Sequence, residues 1–123
     1  MGLDMFAIRT AETFDSPTPT QELTGEVTHF HGWRKHPDLH GWMEQLYYEK
    51  GGQEESFNCT PVVLTSEDLD RLENAVKHGL LPPTQGFFFG QSDGSEKEDD
   101  LDFIAKARAA IAEGDTVLYD SWW

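Results

Sequence analysis

The chain has 123 residues and carries 23 acidic against 9 basic side chains, a formal net charge of −14. That length suits one domain with one core, and the 12% share of aromatic residues is too high for a disordered chain despite the charge. The negative field disfavours direct contact with nucleic-acid backbones and anionic membrane surfaces and favours basic partners, while a single cysteine, Cys59, excludes an internal disulfide.

Leu3 to Arg9 reads as a first strand with apolar residues on both sides, Leu3, Met5 and Ala7 against Phe6 and Ile8. Thr10 to Glu22 holds two prolines and several Ser, Thr and acidic residues, the composition of a loop. Gly25 to Trp33 reads as a second strand, with Val27, His29 and His31 expected on one face and Thr28 and Phe30 on the other.

Pro37 suits the first position of a helix, and Leu39, Trp42, Met43, Leu46 and Tyr47 follow at helical spacing. The helix is expected to stop near Lys50, before Gly51 and Gly52. Pro61 to Leu64 is a short β-prone run, after which Thr65 and Asp68 form an acidic variant of the capping box. A second helix then buries Leu69, Leu72, Val76 and Leu80, with Gly79 as its C-terminal cap.

Gly86 to Gly90, with three consecutive phenylalanines, fits a core strand; the alternative, a ligand groove, rests on its glycines and Gln85. Gln91 to Asp100 is an acidic loop, and a third helix follows with Leu101, Ile104, Ala105 and Ile111 along one side, ended by Gly114. Thr116 to Tyr119 is the last β-prone run, and Trp122 and Trp123 are expected to pack. The order of elements lacks the alternation of a doubly wound sheet, so the expected fold is a single α+β domain, residues 1–123, with a small mixed or mainly antiparallel sheet and about three helices.

His29, His31, Arg34, Lys35, His36, Asp38 and His40 fall within twelve residues. His29 and His31 on one strand face, with His36 and His40 one helical turn apart, offer imidazoles to a divalent metal, but neither a zinc-protease signature nor a Cys pair accompanies them. No metal or cofactor is assigned. Arg34 and Lys35 are adjacent cations in an acidic chain and could either bind an anion or neutralise nearby carboxylates. Cys59 reads as a buried thiol, and Ser121, Asp120 and His40 supply the residue types of a hydrolytic triad without its local motif.

Four blocks stand out: the start Met1-Gly2-Leu3-Asp4-Met5, the run Trp33-Arg34-Lys35 with His40 and Trp42, Leu81-Pro82 with Thr84-Gln85-Gly86-Phe87-Phe88-Phe89-Gly90, and Tyr119-Asp120-Ser121-Trp122. In these four blocks the chain resembles a family of small uncharacterised proteins of bacteriophages and bacterial genomes. The resemblance implies a phage or prophage accessory protein in the host cytoplasm. It also makes Arg34, Lys35, His40, Gln85, Asp120 and Ser121 the candidates for a common site, and leaves His29, His31 and His36 outside the pattern.

Three functions follow from these readings. The first is an acidic module that binds a basic protein, inhibiting it or imitating nucleic acid. It needs clustered carboxylates, for which Asp68, Asp70, Glu73, Glu96, Glu98, Asp99, Asp100 and Asp102 are the candidates. The second is a small enzyme or ligand binder with Arg34, Lys35, His40, Gln85 and Asp120 around an anionic small molecule. The third is a structural component of the virion. The residues choose neither between enzyme and non-enzyme nor among oligomeric states, and the expected location is cytoplasmic, without membrane attachment.

Overall fold

A computed structural model describes residues 3–14, 18, 27–34, 36–53, 61–82 and 97–122 of the chain, the side chains of Arg34 and Trp122 excepted. In chain order the elements are β1 (Asp4–Thr10), β2 (Val27–Arg34), α1 (Pro37–Glu49), β3 (Val62–Leu64), α2 (Ser66–Lys77), α3 (Lys97–Ala112) and β4 (Thr116–Trp122). The strands form one sheet in the order β2-β1-β4-β3, and every pairing among them is antiparallel. An α+β domain with three helices is what the hydrophobic patterning predicts. The predicted strand from Gly86 to Gly90 lies outside the described residues.

β1 occupies an interior position of the sheet, and its sequence explains why. Leu3, Met5 and Ala7 point to one face and are fully buried in the main core, and Ile8, on the other face, is buried as well. A strand apolar on both sides is stable only where both faces are covered. β4 has the same character, with Val117 and Tyr119 in the main core and Leu118 buried on the opposite side.

β2 departs from the predicted alternation. Ala7 pairs with His31 and Ile8 with His29, so Phe30 is an extra residue in β2 and forms a β-bulge. One inserted residue reverses the facing of everything beyond it. His29 therefore meets Phe6 edge-on at 5.7 Å on one face, whereas His31 packs on Trp33 at 4.6 Å and on Phe103 of α3 at 5.8 Å on the other. The expectation that His29 and His31 share a face is corrected by this bulge.

α1 starts with Pro37 at its first turn and buries Leu39, Met43, Leu46 and Tyr47, with Trp42 packed at the margin of the core. α2 begins on the predicted capping box: Asp68 N–H donates to Thr65 Oγ1 at 3.2 Å, and Thr65 N–H donates to Asp68 Oδ2 at 2.9 Å. Leu69, Leu72 and Val76 are buried as expected, but Leu80 is 62% exposed. The helix ends at Lys77, and Gly79 at φ +66 turns the chain away before Leu80 can reach the core.

α3 presents Phe103, Ile104, Ala107 and Ala110 to the core, with Leu101 and Ile111 half-buried beside them and Ala105 exposed. The predicted stripe was rotated toward Ala105; the large ring of Phe103, set edge-on against Trp33 at 4.7 Å and stacked on Phe30 at 6.0 Å, decides the facing instead. α2 and α3 run in opposite directions: Arg108, late in α3, reaches Asp70, early in α2, and Lys97 at the start of α3 reaches the Lys77 carbonyl at the end of α2. All three helices contribute to the core on the Met5, Ala7 and Tyr119 face of the sheet.

Candidate functional site

The helix-covered face buries a string of polar side chains where the start of α1 and the start of α3 meet the sheet. Asp100, in the first turn of α3, is 1% exposed. Its Oδ1 accepts from Trp33 Nε1–H at 3.1 Å, and its Oδ2 accepts from His36 Nε2–H at 2.8 Å. His36 is the residue that precedes α1, and its carbonyl accepts the His40 N–H at 3.2 Å. One turn further on, His40 Nδ1 and the Tyr119 hydroxyl lie 2.7 Å apart, and Ser121 hydrogen-bonds to the same hydroxyl. Tyr119 and Ser121 share a face because they are two apart on β4.

Burial sets the charge of this string. Desolvation holds the His40 imidazole down at about 4, so the ring is neutral at pH 7, and burial pushes the Tyr119 phenol well above its ordinary range. With Ser121 donating to Tyr119 and Tyr119 donating to His40 Nδ1, these groups form a neutral relay. His36, His40, Asp100, Tyr119 and Ser121 are all buried. The cluster therefore ties β2, α1, α3 and β4 together from inside, and buried polar networks of this kind help to specify one packing arrangement.

Of the six residues predicted to line one site, the structure brings His40 and Ser121 together through Tyr119. Asp120 points to the opposite face of β4, opposite Phe6, where burial raises its carboxyl, against the Ser121 N–H bond at 2.8 Å and nearby His29, which both lower it. His40 and Asp120 are thus separated by the sheet. The Arg34 side chain, Lys35 and Gln85 lie outside the described residues, as do Cys59, Trp123 and the proposed groove from Gly86 to Gly90.

The carboxylates assigned to an acidic face divide into different roles. Asp100 belongs to the buried cluster. Asp68 is buried too, where it caps α2 and pairs with the Lys50 ammonium. Their placement corrects the expectation that both lie on an exposed acidic surface: one is taken inward by an indole and an imidazole, the other by a helix terminus and a cation.

Asp70 and Glu73 hold the two ends of the Arg108 guanidinium at 2.7 and 2.9 Å, and Arg108 keeps the Glu73 carboxyl below its usual range. Asp102 pairs with Lys106 at 3.0 Å and Asp99 with His31 at 3.0 Å. Glu98 is exposed in the first turn of α3, and Glu96 lies outside the described residues.

The basic side chains show the complementary pattern. Arg9, Lys50, Arg71, Lys77, Lys106 and Arg108 each sit on a carboxylate of this chain, and Lys97 donates to a backbone carbonyl. Trp33 and Tyr119 are the participants that sequence reasoning missed, and His36, read there as a possible metal ligand, is bonded to Asp100 instead; the signal available was the two-residue spacing that puts Tyr119 beside Ser121 and Trp33 beside His31. No helix among the described residues is long and apolar enough to cross a membrane. Compared with known proteins, the chain matches no family model, no curated protein and no solved structure.

Proposed function

We propose that the chain is an acidic protein-binding module that engages a basic protein and competes there with nucleic acid, in the phage or prophage accessory setting that the four sequence blocks imply. One observation supports the reading: the described cations each have a partner within the chain, so little unpaired positive charge is left to offset a net charge of −14. Such a surface attracts a basic cleft over a distance of about one Debye length, roughly 8–10 Å at physiological salt, and repels a phosphate backbone. Asp68 and Asp100 are internal, so of the eight carboxylates first singled out these two take no part in the recognition surface.

The competing reading, an anion pocket of Arg34, Lys35, His40, Gln85 and Asp120, has less support from the two of these whose side chains are described, His40 and Asp120. A neutral, buried imidazole offers an anion no charge, and Asp120 stands across the sheet from it.

The test is a pull-down from host lysate at about 0.05 M and about 0.5 M salt, with duplex DNA added as competitor to half of the samples. A basic protein captured at low salt, released at high salt and displaced by DNA supports the module. Capture that ignores both salt and DNA, or no partner at either salt, rejects it.

A further inference from the structure

We propose that His31, Asp99 and Asp102 form a site for one divalent cation of the zinc class, which binds by displacing the Lys106 ammonium. Each of the three side chains offers a ligand atom, and these atoms lie within 4.8 Å of one another. Two ligands bonded to one ion at about 2.1 Å stand about 3.0–3.5 Å apart. His31 Nε2 and Asp99 Oδ2 already meet that spacing at 3.0 Å, and Asp102 is one helical turn further along α3.

The β-bulge at Phe30 creates the site, because it turns His31 toward α3. The imidazole packs against Trp33 and Phe103, which also touch each other, and its side chain is only 6% exposed. The two carboxylates face solvent, so one rigid nitrogen ligand meets two accessible oxygen ligands.

A separate observation indicates that a cation belongs there. The Lys106 ammonium sits 3.0 Å from Asp102 Oδ2 and 3.5 Å from His31 Nδ1. An ammonium has only donors, so His31 Nδ1 faces it as an acceptor and Nε2–H donates to Asp99. Coordination through Nε2 moves the ring proton to Nδ1 by exchange with solvent, with no net proton released. An Nδ1–H cannot face an ammonium, so Lys106 swings into water still protonated. One imidazole and two carboxylates, with the remaining positions open to water, suit zinc, cobalt or manganese, whereas calcium and magnesium favour all-oxygen sites.

The experiment titrates the chelator-treated full chain with Zn2+ by calorimetry, with Ca2+ as the control for general attraction to an acidic surface. The variants are His31→Gln, the double variant Asp99→Asn with Asp102→Asn, and Lys106→Met. One equivalent of Zn2+ is expected, bound at least about tenfold more weakly by His31→Gln and by the Asp double variant, and more tightly by Lys106→Met. Nitrogen NMR of the wild type should show His31 change tautomer on Zn2+ addition. The Asp double variant alters exposed groups and keeps the comparison valid if His31→Gln fails to fold. Zn2+ bound no more tightly than Ca2+ by both the wild type and Lys106→Met overturns the site, as does wild-type affinity in the Asp double variant.

Discussion

His40 shows how one buried imidazole makes the whole fold sensitive to acid. Its folded-state pKa, about 4, lies below the value of about 6.5 for an exposed histidine, so the unfolded chain binds a proton that the folded chain refuses. Stability from this group is complete above about pH 6.5 and is lost as pH falls toward 4, with about 2 kcal/mol gone between pH 7 and pH 5. Asp120 acts with the opposite sign, since a carboxyl raised by burial favours the folded state as pH falls. Urea unfolding at pH 7 and pH 5 should show the loss in the wild type and a flatter dependence in His40→Gln. Equal slopes in the two proteins would mean that His40 is not the group that titrates. Tyr119 and Ser121 are part of the same account, because the hydroxyl relay can donate to the neutral ring but carries no negative charge to offset an imidazolium.

At the scale of elements, the capping box of α2 was legible in the sequence because it depends on residues three apart. Thr65→Ala removes the acceptor for Asp68 N–H and should cost about 1 kcal/mol in denaturant unfolding, with Thr65→Ser restoring most of it. An unchanged midpoint in the alanine variant would show that Asp68 and its bond with Lys50 hold the helix start unaided. The start of α1 and the C-terminal ends of α2 and α3 were equally readable, since Pro37, Gly79 and Gly114 act through the local backbone, but Lys97 to Asp100, read as the end of a loop, form the first turn of α3. What resisted reading was set at a distance. The bulge in β2 is visible only in its register with β1, and the facing of α3 is decided by Phe103 against Trp33 and Phe30. Of the site, His40 and Ser121 could be singled out, but Asp100 was taken for surface charge because its indole and imidazole partners lie on other elements, more than sixty residues earlier.

For the molecule as a whole, the excess of negative charge competes with the ion pairs that the cations make. Exposed pairs such as Arg71 with Glu49 or Lys106 with Asp102 are worth about 0–1 kcal/mol each, and salt weakens them. Repulsion spread over a net charge of −14 is screened by the same salt, and it acts on every acidic group at once. Raising sodium chloride from about 0.02 M to about 0.3 M should therefore raise Tm by a few degrees. A fall in Tm would show that the ion pairs outweigh the repulsion.

The ladder between β1 and β4 joins Asp4 to Trp122 and Thr10 to Thr116, residues near opposite ends of the sequence. Two strands with buried apolar residues thus wait on the longest loop closure the chain contains, the kind of contact whose entropy must be spent before any burial is gained. Folding is then limited by topology more than by the helices, whose local contacts form early. Until β4 arrives, β1 is an apolar strand with an open edge, and that interval is when the chain is most exposed to pairing with another molecule.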